Sequence, residues 1–232
     1  MLKTYLLFFI GTFAFTVTYA QETEQKKNRL TDSVYEVYHV PKGNKYVKEG
    51  LYQALYQKKM VVATGMFEKN VKAGIWRFFD SKGRATQIYN YTAKKLIYEA
   101  PEDTTSDLRY FVDKELKPTD VVTKPIKTGG RYYGYLNYLR LFTLPDAYAW
   151  HEEVMNNLVT TSVEMLISPG GRLADLKVHI NNGVQDNIIR MNINFPDEED
   201  KTFIPATLNG EAIASRILIR VYITPNRHLD FF

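Results

Sequence analysis

Residues 158–180 read LVTTSVEMLISPGGRLADLKVHI and contain two partly apolar stretches separated by a turn. In each stretch, apolar residues alternate with more polar ones. The alternating apolar residues are Val163, Met165 and Ile167, then Leu176, Val178 and Ile180. A period of two places such side chains on one face of a β-strand. Ser168–Gly171 between the stretches combines proline with two glycines, so the segment predicts an antiparallel hairpin.

The segments that flank this hairpin predict a mixed domain. Tyr132–Phe142 carries apolar residues at spacings of three and four, which favours a helix that ends before Pro145. Val184–Phe195 has a similar spacing and predicts a second helix. Ile213–Ile223 alternates again and predicts a strand. The order helix, hairpin, helix, strand over residues 124–232 predicts a small α+β domain with two helices and a three-stranded antiparallel sheet.

Residues 46–98, within a first module predicted over residues 34–105, show a weak internal repeat of short strands. A glycine followed two positions later by an aromatic residue occurs three times, at Gly50–Tyr52, Gly65–Phe67 and Gly74–Trp76. Each glycine permits a tight reversal, and the aromatic ring can lie over the neighbouring strand. The pattern predicts an antiparallel β-meander as the first module. A plain aromatic-rich meander without true repeats is the alternative.

Three further segments complete the predicted organisation. Residues 1–20 contain a lysine, an apolar core and a small residue at the end, which is the layout of a cleaved export signal. A retained anchor is the alternative, although a membrane span takes about 20 apolar residues. Residues 21–33 are polar and predict a flexible lead-in. Residues 106–123 predict a connector, and the mature protein is expected outside the cytoplasm.

The composition excludes several classes of protein. Of the 232 residues, 45% are hydrophobic and 24% are charged, which is the ordinary balance of a globular chain. Cysteine is absent, which excludes disulfides, thiolate metal sites and cysteine nucleophiles. Residues 21–105 carry 15 basic and 10 acidic side chains, whereas residues 106–232 carry 14 and 16. This asymmetry favours two units of different character and is too mild to predict nucleic-acid binding.

No constellation of residues in the sequence points to catalysis or metal binding. The four histidines lie in no ligand-spacing motif: His39, His151, His179 and His228. The chain has neither a serine-nucleophile motif nor a glycine-rich phosphate loop. The acidic run Asp197–Asp200 lacks the alternating ligands of a calcium loop and favours a solvated loop. The sequence therefore predicts a protein that is not an enzyme and takes no cofactor or metal.

Two resemblances to known families rest on these motifs. The glycine–aromatic motifs within residues 46–98 resemble degenerate MORN-type repeats. Residues 124–224 resemble the TonB C-terminal domain. The matching pieces, in chain order, are Pro125 with Gly129 and Gly130, Leu144–Ala147, Val163–Val178, Asp186–Met191, Phe203–Ala206 and Asn209–Ile213. Phe203 stands where that family has tryptophan, Leu144 stands where it has an aromatic residue, and the chain has no proline-rich spacer.

The second resemblance implies a mechanism of binding. In the TonB C-terminal family, an edge strand accepts an extended segment of an outer-membrane transporter as a further strand. On this chain the resemblance implies Ser215–Ile223 as that edge, with Arg216, Leu218, Arg220 and Tyr222 pointing outward. It implies a periplasmic or envelope protein of a Gram-negative bacterium that binds a peptide in TonB-dependent transport. The alternatives are that the strand is covered, that it forms a homodimer, or that the protein binds another protein or a glycan with no transport role.

Overall fold

Residues 23–99 form one antiparallel meander. The computed structural model of the chain describes residues 22–101, 106–149, 152–156 and 158–232. The strands of the meander are β1 (Thr23–Arg29), β2 (Val34–Pro41), β3 (Gly50–Tyr56), β4 (Met60–Glu68), β5 (Val71–Phe79), β6 (Ala85–Asn90) and β7 (Lys95–Glu99). Each strand pairs with the next along the chain, so β1 and β7 are the edges of a seven-stranded sheet.

A short turn and a close contact show how the sequence produces this meander. Between β4 and β5, Lys69 and Asn70 both have positive φ, 49° and 71°. This is the conformation of a two-residue hairpin turn whose twist matches that of the flanking strands. Gly65 lies beneath the indole of Trp76, where an added Cβ would come within 2.3 Å of the ring. Glycine at this position therefore lets an aromatic ring of β5 cover the neighbouring strand.

The prediction of a flexible lead-in over residues 21–33 is wrong for most of that segment. Residues 23–29 pair with β2, from Thr23 opposite Pro41 to Arg29 opposite Tyr35. The segment is polar because most side chains of this edge strand are exposed. The predicted export signal, residues 1–20, lies outside the described residues. In the described part of the chain, no helix is long and apolar enough to cross a membrane.

The second half of the chain forms a six-stranded sheet, a small three-stranded sheet and short helices. The strands are β8 (Leu108–Val112), β9 (Val122–Thr123), β10 (Thr160–Ile167), β11 (Leu173–Asn181), β12 (Asp186–Arg190), β13 (Ala206–Leu208), β14 (Glu211–Ile213), β15 (Ser215–Ile223) and β16 (Leu229–Asp230). The helices are α1 (Leu136–Leu141) after a 3-10 turn at Tyr133–Tyr135, α2 (Asp146–Ala149), α3 (Glu152–Met155) and α4 (Glu198–Lys201). The larger sheet has the order β12-β11-β10-β15-β16, with β8 also paired to β15. The smaller sheet has the order β14-β13-β9.

The hairpin predicted from residues 158–180 is confirmed as β10 and β11. Val163 lies opposite Val178, and Met165 lies opposite Leu176. All four side chains are buried, as their alternation predicted. The turn between the strands is closed by a hydrogen bond from the Ser168 amide to the Arg172 carbonyl, 2.8 Å long.

The predicted α+β class is wrong, because the residues that the structure describes are mostly β and do not form a two-helix domain. The segment Val184–Phe195, predicted as a helix, contains β12 followed by extended chain. The turn at residues 182–185 returns the chain beside β11, where the β-branched Ile188 and Ile189 fit a strand better than a helix. Tyr132–Phe142 is helical only in part, since α1 has six residues. Within the predicted connector 106–123, β8 belongs to the larger sheet.

The two halves share one hydrophobic core. Trp76 and Phe78 of the meander belong to the same cluster of buried side chains as Tyr135, Leu139 and the inner residues of the larger sheet. A buried amide strengthens the joint, because the Gln87 side chain accepts hydrogen bonds from the Gly129 and Gly130 amides at 2.8 and 3.1 Å. Gln87 also donates to the Lys127 carbonyl at 3.0 Å. The meander and the larger sheet therefore hold each other in a fixed arrangement.

Candidate functional site

The four residues predicted to face a partner lie on the outer face of the larger sheet. In β15 they alternate with buried residues: Arg216, Leu218, Arg220 and Tyr222 are partly or fully exposed. Their outward orientation is confirmed. The prediction that Ser215–Ile223 is a free edge is wrong, because β15 pairs with β10 on one side and with β8 and β16 on the other. Those main-chain groups are used within the fold and cannot add a further strand.

Neighbouring elements already engage three of these side chains. Arg216 forms an ion pair with Asp113, just after β8. Arg220 lies 2.9 Å from the Asp107 carboxylate. The Tyr222 ring packs 5.4 Å from the ring of Phe232, measured between centroids. These contacts give the outer face a structural role in holding the strands beside β15.

Strand β12 forms one edge of the larger sheet, and β8 and β16 lie at the other. Two hydrogen bonds define which of its residues face β11: the Met191 amide donates to the Leu176 carbonyl at 2.8 Å, and the Asn182 amide donates to the Gln185 carbonyl at 3.2 Å. Directly opposite residues of an antiparallel pair alternate between bonded and non-bonded positions. The odd-numbered residues, 187 and 189, therefore bond to β11. The main-chain groups of residues 186, 188 and 190 point away from the sheet.

Both charged side chains of β12 contact neighbours in the same sheet. The Asp186 carboxylate lies 2.8 Å from Nδ1 of His179. The Arg190 guanidinium lies 3.3 Å from the Asp175 carboxylate. Between them, Ile188 is 55% exposed. The strand thus presents an apolar centre, and at each end a charged side chain that contacts a neighbouring strand.

The inner side of β12 is fixed by packing. Ile189 lies opposite Val178 and packs against the hydrophobic core. The strand therefore holds its position, and its outward main-chain groups are arranged in advance for a partner. Pre-arranged groups lose less conformational entropy on binding than flexible ones.

A partly buried ion pair at the joint between the two halves was not predicted from the sequence. The Lys72 ammonium of β5 lies 2.8 Å from both carboxylate oxygens of Glu199 in α4. The Tyr91 hydroxyl donates to the same carboxylate at 2.6 Å. The sequence predicts that Glu199 lies in a solvated acidic loop. No local pattern relates it to Lys72, which is far away along the chain.

Burial and charge act in opposite directions on these groups. Burial alone would raise the pKa of the Glu199 carboxyl, but the Lys72 charge and the hydrogen bonds from Lys72 and Tyr91 hold that pKa below its ordinary value. The Lys127 ammonium donates to the Glu199 and Thr202 carbonyls. Its burial lowers its pKa to about 8. Every one of these polar groups contacts another part of the fold, which indicates a structural joint between the halves.

A cleft of about 290 Å³ lies between the β5–β6 turn and the last residues of the chain. Tyr132 and Phe231 form an aromatic wall, with ring centroids 5.0 Å apart. Two of its cationic side chains are engaged, since Arg84 lies 2.6 Å from the Asp80 carboxylate and Arg131 donates to the Ala100 carbonyl. These two arginines are therefore committed to contacts within the fold.

The histidines that the structure describes each have a neighbour within the fold. His39 lies 3.2 Å from the Thr23 hydroxyl, and His228 lies 2.9 Å from the Phe142 carbonyl. His179 pairs with Asp186 as described above, and His151 lies outside the described residues. Within the described ranges, no group of three or more histidine, aspartate or glutamate side chains is placed to hold a metal ion.

Comparison with known proteins finds no relative of this chain. No family model matches the chain, and no curated protein or solved structure is significantly similar to it. The resemblances to MORN-type repeats and to the TonB C-terminal domain therefore stay predictions from short motifs.

Proposed function

We propose that this protein is a non-enzymatic binding protein that takes up an extended polypeptide segment as an additional strand beside β12. The observation that carries the proposal is the edge itself: outward main-chain groups at residues 186, 188 and 190, with an exposed isoleucine at their centre. Strand addition draws affinity from main-chain hydrogen bonds and selectivity from alternate side chains. Because residues 1–20 have the layout of an export signal, we propose that this binding takes place outside the cytoplasm.

The side chains of β12 define the strand that fits best. An antiparallel partner runs in the opposite direction, so its residues meet Arg190 first, then Ile188, then Asp186. Opposite charges and apolar pairs directly across two strands are stabilising, each by roughly 0.2–1 kcal/mol. The best partner therefore carries an acidic, an apolar and a basic residue at alternate positions, in that order along its chain.

The earlier expectation of an outer-membrane transporter as partner does not enter this proposal. That expectation came with the resemblance to a two-helix domain, and the chain lacks such a domain. The partner is defined here by the chemistry of β12 alone.

Amide-resolved hydrogen exchange tests the proposal. The probe is a capped seven-residue peptide with glutamate, valine and lysine at alternate positions and threonine between them. We expect the peptide to slow exchange at residues 186, 188 and 190, because its main chain would accept and donate hydrogen bonds there. Residues 187 and 189 serve as internal references, since their amides already bond to β11.

Two controls make the test specific. A peptide with glutamate and lysine exchanged has the same composition and should protect those amides less. Ile188→Pro removes one outward donor and should abolish protection. Unchanged exchange at residues 186–190, equal protection of the wild-type chain by both peptides, or protection that persists in the Ile188→Pro variant, would overturn the proposal.

A further inference from the structure

We propose that the strand that pairs with β12 is β12 of a second copy of this chain. The inference rests on the proposed function, because it names the partner of that same edge. The acidic, apolar and basic order that an antiparallel partner needs is the order in which β12 itself carries Asp186, Ile188 and Arg190.

The main-chain geometry allows this pairing about a two-fold axis at Ile188. Around that axis, Ile188 meets Ile188 of the partner copy, and residue 186 of each copy meets residue 190 of the other. All of these are positions whose main-chain groups point away from β11. Each pair can therefore form the reciprocal hydrogen bonds of a bonded antiparallel position. The contact is isologous, the form that closed two-fold dimers use.

The side chains favour this register over its neighbours. In it, both Asp186–Arg190 pairs bring opposite charges together, and the exposed faces of the two Ile188 side chains cover each other. A shift by two residues keeps the hydrogen-bonding parity but places a charged side chain opposite isoleucine. Arg190 is free to turn toward the partner, because its side chain is 72% exposed with the Asp175 contact at 3.3 Å. The dimer would extend the larger sheet without a break across both copies.

Sedimentation equilibrium of the purified chain tests the inference. A five-residue strand covers less than the roughly 800 Å² per partner of a standard interface, so we expect a reversible dimer with a dissociation constant of roughly 10–500 µM. Asp186→Arg or Arg190→Asp alone would place like charges opposite each other twice and weaken the dimer about tenfold. The double variant Asp186→Arg/Arg190→Asp restores opposite charges and should recover wild-type affinity to within about threefold.

A second pair of variants guards against effects on folding. Ile188→Lys places a charge at the centre of the edge and should abolish the dimer. The matched control is Ile97→Lys in edge strand β7, where the isoleucine is similarly exposed at 50% but lies at a register shift that interrupts the ladder. Because such irregularities discourage strand addition, this variant should dimerise like wild type. Urea unfolding of each variant checks that the fold is retained.

The outcomes separate this inference from the proposed function. A chain that stays monomeric at millimolar concentration but binds the seven-residue peptide overturns self-pairing and leaves strand addition standing. A monomer that also ignores the peptide overturns both. A dimer that persists in Ile188→Lys, or that the double charge exchange does not recover, overturns the β12 pairing.

Discussion

The meander and the larger sheet each end in an edge strand with main-chain groups that point to solvent, yet the two edges differ in chemistry. Just before β1, the Lys42 amide donates to the Glu22 carbonyl. Together with the register of the two strands, this hydrogen bond shows which residues of β1 bond to β2. The outward positions are therefore the odd-numbered residues, with Lys27 at the centre. In β12 the corresponding central residue is Ile188. A lysine on an edge strand discourages strand addition, whereas an exposed isoleucine invites it. The outward positions of β1 thus carry two cations, Lys27 and Arg29, whereas those of β12 carry an exposed isoleucine between one acidic and one basic residue.

Substitution of the Lys72–Glu199 pair tests whether the two sheets form one rigid unit. Lys72→Met leaves the partly buried Glu199 carboxylate without its cationic partner, which costs about 1–3 kcal/mol of unfolding free energy. Urea unfolding should show this loss as a single transition. Hydrogen exchange should show amides of both sheets losing protection together. Lys82→Met, at an exposed lysine, is the control and should change stability by less than about 0.5 kcal/mol. Loss of amide protection in only one sheet would show that the two halves unfold independently.

The same pair predicts a dependence on pH. Because the pKa of Glu199 is lowered in the folded protein, its contribution to stability is present above its unfolded pKa and is lost as pH falls through the folded value. The stability difference between wild type and Lys72→Met should therefore be full at pH 7 and should narrow below about pH 4. Urea unfolding of both proteins between pH 7 and pH 3 measures this gap. A gap that stays constant over that range would show that the ion pair contributes little to the joint.

Within β12, proline at adjacent positions separates the inner side from the outer side. Ile189→Pro removes an amide that bonds to β11 and a side chain that packs on the core, so we expect a loss of about 2–4 kcal/mol. Ile188→Pro removes an amide that points to solvent, and a proline is tolerated in that position on an edge strand. Its cost should stay below about 1 kcal/mol. Urea unfolding measures both. Equal losses would contradict the assignment of residues 186, 188 and 190 as the open side.

Sequence reasoning succeeded where the signal was local and regular. The hairpin β10–β11 has long alternating strands and a glycine turn, so its two strands and their buried faces could be predicted. Asn209–Gly210 is a dipeptide typical of turns and has positive φ at both residues, 53° and 87°. The strand β12 is too short to show a period, and the spacing of its apolar residues within Val184–Phe195 imitates a helix. Tertiary pairing with β11 decided its conformation.

The site was harder to predict than the fold because an edge is not a local property. Ser215–Ile223 has the alternation of a sheet strand, and its outward side chains were predicted correctly. Whether it lies at an edge depends on Leu108–Val112, which occupies its other side and whose sequence gave no clear pattern. Glu199 poses the same problem, since its partner Lys72 lies 127 residues away.

The smallest expected effect comes from opening the closed edge. Lys27→Ile places an isoleucine at the centre of β1, at an exposed position opposite Val37. The substitution also removes the contact of the lysine ammonium with the Tyr35 ring, 5.4 Å from its centroid. Arg29 remains on the same edge, so the gain in strand addition should be worth less than about 1 kcal/mol. Sedimentation of Lys27→Ile in the Ile188→Lys background, where β12 is closed, should show weak association that Ile188→Lys alone lacks. If this variant stays strictly monomeric, Lys27 is not the residue that prevents strand addition at β1. The twist of the strand or its neighbouring charges would then be sufficient to prevent it.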